Sequence, residues 1–393
     1  MVTIDSSYND LIMTSRVTRR DMLKGSVAFA ALAFAQYPLS TFGLPEAEEG
    51  AELIPFLDKQ AGKNGITWEK LSSWITPNAE LYRVQHYGVP KIDLANWRLE
   101  IGGLVRKPRT LTLDEIKQRR RKTITATLEC SGNSNGPGFM GAIGNVKWTG
   151  TPLAPLLKDC EPYKRGIEVA FFGADTAKDE LKKNEYTANF SRGLHFTDAM
   201  RDDLLLCYEF NGEPLNTDHG APLRLVVPGW YGVAWVKWLS RIEVLDRRIM
   251  SKFMGREYVT LRAEERGEKT IWRETSIGPM LIKSIPARAL RLRDGTIRIQ
   301  GAAWGDETPL AKVELKMDDG PWQPVTIDKK NRSKYCWTFW TFDWKNPAPG
   351  EHTLVSRATD VEGRSQPTAD DPVMKLKKTY WESNHQWPRR LKV

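Results

Sequence analysis

From Trp97 onward, apolar and polar positions fall into short alternating runs. Trp97-Arg98-Leu99-Glu100-Ile101 alternates and Gly102-Gly103 stops it, which predicts a strand. Residues 123–130 alternate again and are rich in β-branched side chains, predicting a second strand that ends in a loop of Gly, Asn, Ser and Pro. Short apolar runs over 167–172, 204–210 and 223–227 predict further strands. Asn211-Gly212 turns the middle run and Pro228-Gly229 breaks the last. Helix signals are interspersed. Thr112 and Glu115 form a capping box that opens a helix through Lys117 and Gln118. Thr151 and Pro152 suit the N-cap and first turn of a helix over 153–157. Strands and helices in irregular order predict an α+β region with a mixed sheet.

After about residue 275 the pattern changes. Residues 296–300 alternate, as do Val313, Leu315 and Met317 before the turn Asp318-Asp319-Gly320. Trp337, Phe339 and Thr341 share one strand face, and 353–358 predicts a later strand. Regularly spaced short strands with turns between them predict a β-sandwich. Residues 36–75 mix Pro, Gly and acidic side chains and are expected to run over the surface. The division expected is 1–35 as an export signal, 36–270 as a catalytic domain and 271–393 as the sandwich.

The first segment is an address rather than structure. Basic residues precede a short uncharged run over 25–35 that ends in small side chains and is too short to span a bilayer. Thr18-Arg19-Arg20-Asp21-Met22-Leu23-Lys24 resembles the twin-arginine consensus. The mature protein is therefore expected in the periplasm, exported folded, with no stable membrane span after signal removal. The 393-residue chain carries a formal charge of +9. Its basic residues are scattered apart from Arg119 to Lys122, a run that reads as a solvated helix end, and no recognition motif accompanies them, which argues against nucleic acid. Most of the fifteen Trp residues are expected in core or interface packing.

The four cysteines, Cys130, Cys160, Cys207 and Cys336, stand far apart. No CxxC occurs, so no zinc knuckle is written here, and no CxxCH, so no c-type haem is attached to this chain. Cys160, Cys207 and Cys336 read as core residues. Cys130, at the mouth of a flexible loop, reads as a nucleophile, a disulfide partner, a metal ligand or a small buried hydrophobe.

Several segments in order carry a resemblance: Glu129-Cys130-Ser131-Gly132-Asn133; Gly144 to Leu153; Asp218-His219-Gly220-Ala221-Pro222-Leu223-Arg224; Val227-Pro228-Gly229; and Val236-Lys237-Trp238-Leu239. Together they resemble the sulfite oxidase family of molybdopterin enzymes, of the haem-free periplasmic sulfite dehydrogenase type. The resemblance spans residues 70–390 and implies a molybdopterin-binding domain followed by an immunoglobulin-like dimerisation domain. It implies a molybdenum–molybdopterin cofactor with Cys130 as metal ligand. Tyr82, His86, Ser131, Asp175, His219, Arg224, Trp235, Val236 and Lys237 are implied around the pterin. Glycines in the loop would let backbone N–H groups approach it. Arg83 is implied as the clamp for an anionic substrate, Trp148 as a pocket wall and Tyr258 as a hydrogen-bonding group near the metal.

This sequence departs from the family at three points. Arg83 stands one residue further from His86 than in the family's Arg-Asn-His segment. Asn135 stands where the animal and plant enzymes carry a second substrate arginine, and Lys377 or its neighbour replaces a third. The activity implied is oxidation of sulfite to sulfate with electrons passed to a periplasmic cytochrome c, by a homodimer. The alternatives are a sulfane dehydrogenase subunit acting on carrier-bound sulfur, a methionine sulfoxide reductase, or a non-catalytic periplasmic binding protein.

Overall fold

The computed structural model describes residues 50–58, 65–71, 73–134 and 140–393. The signal segment 1–35 and Asn135 lie outside them. The first half is built on two sheets. One is antiparallel, in the order Arg224–Val226, Leu205–Phe210, Ile143–Pro152, Lys122–Glu129. The other is mixed, in the order Arg109–Leu111, Leu99–Gly103, Leu239–Leu245, Glu168–Leu181, Asn184–His195, with a parallel pair where Leu239–Leu245 lies beside Leu99–Gly103. Apolar side chains from both sheets, including Leu128, Val146, Phe171, Leu206 and Ile242, share one core. The expected α+β class with a mixed sheet is observed.

The second half is the expected sandwich. One sheet runs Glu52–Ile54, Lys283–Arg291, Ile297–Trp304, Thr338–Trp344, Thr326–Ile327. The other runs Gln323–Pro324, Leu310–Met317, Glu351–Asp360, Arg389–Lys392. Leu315, Leu354, Ala358 and Leu391 face Ala289, Ile297, Ile299 and Trp340 across a dry core. Trp68, Trp148, Trp235, Trp238, Trp304, Trp337 and Trp340 are all fully buried, as packing tryptophans should be.

Four expectations need correction. Residues 36–75 do not simply run over the surface: Glu52–Ile54 adds a strand to the sandwich, and buried Trp68 stacks on Trp304 at 5.7 Å between centroids. Indole burial outweighs the polar character of the surrounding residues. The helix Leu153–Asp159 is capped by Pro152, not Thr151; Thr151 closes the preceding strand and its hydroxyl donates to the Ile116 carbonyl at 2.8 Å. The short strand over 167–172 is the first half of Glu168–Leu181, which forms a long hairpin with Asn184–His195. The outer half of that hairpin is mostly exposed and carries no apolar alternation, so the pattern does not show it. Lys182 and Lys183 turn it with φ of 50° and 67°. Finally, the basic run 119–122 is less free than a solvated helix end: Arg119 meets Asp159, Arg121 meets Glu209, and Lys122 donates to the Asp202 carbonyl.

Candidate functional site

Cys130 is delivered by the end of a strand. Glu129 pairs with Ile143, and the Cys130 N–H donates to the Ala142 carbonyl at 2.9 Å. The loop then turns back, with the Asn133 N–H donating to the Cys130 carbonyl at 2.9 Å. Behind it, fully buried Glu129 accepts from Lys283 Nζ at 2.6 Å, Trp304 Nε1 at 2.9 Å and Asn133 Nδ2 at 3.1 Å. The base of the cysteine loop is thereby tied to the sandwich.

A cavity open to solvent lies over Cys130. Four elements bring side chains to it, each for a local reason. Asp175 projects from a bulge where the Glu168–Leu181 pairing slips between Phe172 and Thr176. His219 ends the short helix Thr217–His219, whose N-cap Asn216 accepts from the His219 N–H at 3.0 Å and contacts its Nδ1 at 2.8 Å. Because Asn216 Oδ1 is the acceptor in both contacts, Nδ1 carries the ring proton, and Nε2 is buried without a hydrogen-bond partner. Gly220 follows with φ of 107°, a conformation a side chain would resist. Arg224 opens the next strand, and Tyr258 follows the π-helical turn Lys252–Arg256.

Four buried polar atoms on this cavity have no hydrogen-bond partner: Ser131 Oγ, Asp175 Oδ1, His219 Nε2 and Arg224 Nε. Buried polar groups are normally paired, so four orphans on one cavity mark a place built for a polar ligand. The charges agree. Burial pushes His219 down to about 4 and Lys237 down to about 7, and the neighbouring Arg224 guanidinium adds to both shifts. Arg224 itself is pushed down to about 10 by burial. Three basic groups that disfavour their own charge describe a pocket short of an anion. Asp175 is pushed up to about 6 by burial, against the pull of Lys237. A carboxyl held near neutrality suits a ring N–H or a shared proton. These residues fit a phosphate-bearing, nitrogen-rich group such as molybdopterin.

Cys130 fits the metal. Burial raises its thiol, while the Gly132 N–H and Lys283 act in the opposite direction. Coordination would deprotonate it outright. Among the described residues no cluster of three or more His, Cys, Asp or Glu could hold a metal. A metal here would take one thiolate from the protein and its other donors from the pterin. All four cysteines are free.

The structure gathers Tyr82, Arg83, His86, Cys130, Ser131, Asp175, His219, Arg224, Trp235, Lys237 and Tyr258 around this cavity. Trp148 is not among its walls, contrary to the implied role. It is fully buried behind Arg224, whose guanidinium lies 5.0 Å above its ring. Val236 is also fully buried, and its carbonyl accepts from the Leu225 N–H at 2.8 Å. Arg224 is not a free fork: its terminal nitrogens already donate to the His219 and Trp235 carbonyls at 3.1 and 3.2 Å. Arg83 reaches the cavity, but as the partner of Asp218, with Nη1 at 2.7 Å from Oδ2. Lys377 lies away from the cavity, bonded to the Thr379 carbonyl.

His86 packs against the stacked pair Phe253 and Phe190, at centroid distances of 4.6 and 5.8 Å, and its Nε2 lies 2.8 Å from the Tyr258 hydroxyl. Burial lowers the His86 pKa and raises that of Tyr258, so both stay neutral. Sequence reasoning missed Asp218, Phe190, Phe253, Tyr380 and Trp381. Asp218 alone carried a signal, as the neighbour of His219. Trp381 packs at a tilt against Tyr258 and Tyr380, with ring centroids 4.4 and 4.1 Å apart. A Cβ on Gly132 would come within 3.2 Å of Tyr380 and 3.3 Å of Trp381, so glycine lets the cysteine loop pass beneath these rings.

The family model for the oxidoreductase molybdopterin binding domain matches residues 86–253, and that for the Mo-co oxidoreductase dimerisation domain matches 269–385. The mitochondrial sulfite oxidase of Drosophila melanogaster is 31% identical over 68% of this chain, which spans 50% of that protein. The sulfite oxidase of Arabidopsis thaliana is 27% identical over 82% of this chain and 88% of its own length. Among solved structures, the sulfane dehydrogenase SoxCD from Paracoccus pantotrophus superposes with a TM-score of 0.71 at 26% identity, covering 90% of this chain and 92% of that one. The chain belongs to the sulfite oxidase family of molybdenum enzymes. Its cofactor is molybdenum held by molybdopterin.

Proposed function

We propose that this protein oxidises sulfite to sulfate in the periplasm and passes the electrons to a c-type cytochrome, working as a homodimer. The observation that carries the reading is the single cavity holding Cys130, four unpartnered polar atoms and three charge-depressed basic groups. When bound, the molybdenum group supplies oxygen-atom transfer to sulfur and takes up two electrons. The chain supplies the rest. Cys130 anchors the metal from a loop tied down by Glu129. His219, Arg224 and Lys237 gain their missing anion from the cofactor phosphate. Arg83 and Lys237 draw a small anion to the mouth of the cavity. Tyr258, fixed by His86, holds a hydroxyl proton near the reacting atoms. The electrons then pass to a separate acceptor protein. Sulfite-dependent reduction of cytochrome c by the metal-loaded protein tests the reading; a loaded protein that ignores sulfite overturns it.

A second reading is oxidation of sulfur carried on a partner protein. The Arg83–Asp218 pair favours it, because a neutralised arginine leaves the mouth less attractive to a free dianion. The likeness to sulfane dehydrogenase supports the same reading. Steady-state rates with free sulfite and with a carrier-bound sulfane separate the two.

A further inference from the structure

We propose that Asp218 is a latch on Arg83: it holds the guanidinium at the cavity mouth when no substrate is present and releases it to an incoming oxyanion, so that Asp218 sets how tightly the site takes small anions. The inference rests on the sulfite reading above for the identity of the anion.

The geometry carries it. Arg83 Nη1 lies 2.7 Å from Asp218 Oδ2, and both residues line the same cavity as Cys130. The pair joins two elements that reach the site separately: the segment containing Tyr82 and His86, and the short helix Thr217–His219. The Asp218 main chain is fixed, because its carbonyl accepts from Lys237 Nζ at 2.9 Å and its neighbour His219 is capped by Asn216. Only the carboxylate is left to swing. The two side chains are 52% and 39% exposed, so water competes for the pair and an exposed bridge of this kind is weak. A doubly charged oxyanion offers the guanidinium a bidentate partner that one carboxylate oxygen does not. The exchange therefore costs little and is driven by the anion's extra charge. The alternative is that Asp218 is an ordinary surface charge that repels anions at a distance, with or without Arg83.

A double-mutant cycle on the molybdenum-loaded protein separates these possibilities. Sulfate, the product anion, is titrated by calorimetry, and KM for sulfite is measured with ferricyanide as an artificial acceptor. Asp218→Asn keeps the side-chain shape and removes the charge. It is expected to tighten sulfate roughly two- to fivefold and to lower KM by a similar factor with kcat little changed. Arg83→Gln is expected to weaken sulfate. In the Arg83→Gln background, Asp218→Asn is expected to change sulfate affinity hardly at all, because the latch has nothing to hold. Equal tightening with and without Arg83 would show simple repulsion and overturn the proposal. No effect of Asp218→Asn in either background, or no sulfate binding in any variant, would overturn it too. A wild-type protein that binds sulfate but oxidises no sulfite would refute the substrate reading alone, and the sulfate cycle would still decide the latch.

Discussion

Lys237 has its pKa pushed down to about 7 from an ordinary value of 10.5, by burial first and by Arg224 second. In the unfolded chain it keeps its proton up to the ordinary value. Between about pH 7 and 10.5 this residue therefore binds more protons in the unfolded state, and its own contribution to stability rises with pH across that window. The difference in urea-unfolding stability between cofactor-free wild type and Lys237→Met, followed against pH, should show that rise. Loading an anionic cofactor should raise the Lys237 pKa and flatten the slope. At Cys130, replacement by Ser should lower sulfite turnover by more than the roughly 10–100-fold typical of outer-shell changes, with loss or weakening of bound metal read by elemental analysis. The residues visible in the sequence were those set in local motifs: Cys130, His219, Arg224 and Lys237. Asp218's partnership with Arg83 was not visible, because the two are 135 positions apart. A motif names Trp148 without saying which side of Arg224 it occupies, and the structure places it behind that side chain.

At the scale of elements, local signals served well where local chemistry decides. Thr112 and Glu115 form both bonds of the expected capping box, Glu115 N–H to Thr112 Oγ1 at 3.1 Å and Thr112 N–H to Glu115 Oε2 at 2.7 Å. Thr112→Ala should cost about 1 kcal/mol in denaturant unfolding. Local signals failed where long-range contacts decide. The hairpin Glu168–Leu181 and Asn184–His195 extends beyond its apolar run, and Asp179 braces it, accepting from the Tyr186 hydroxyl at 2.9 Å and Arg256 Nη2 at 2.6 Å. Asp179→Ala should speed amide hydrogen exchange over the outer hairpin while leaving the inner strands protected. Periodicity cannot report such support, because polar partners distant in the chain replace an apolar face.

Across the whole molecule, the buried Glu129–Lys283 pair joins the cysteine loop to the sandwich. Removing one partner leaves a buried charge alone. Glu129→Gln should therefore cost about 3–5 kcal/mol, and the double change with Lys283→Met should recover part of that loss. Thermal unfolding of the single and double variants checks it. If both halves act as one unit, the single variant should also retain less molybdenum per chain. The sandwich, which matches the Mo-co oxidoreductase dimerisation domain, thus steadies the cysteine loop. Alternation predicted its strands but not this link, since a lone buried lysine in a strand looks like any other polar position.

The most direct test measures sulfite-dependent reduction of ferricytochrome c by purified protein, normalised to bound molybdenum, in wild type and Cys130→Ser. Turnover proportional to molybdenum in the wild type, and none in the variant, is the predicted result. A wild-type protein with a full complement of molybdenum that reduces no cytochrome in the presence of sulfite would contradict it.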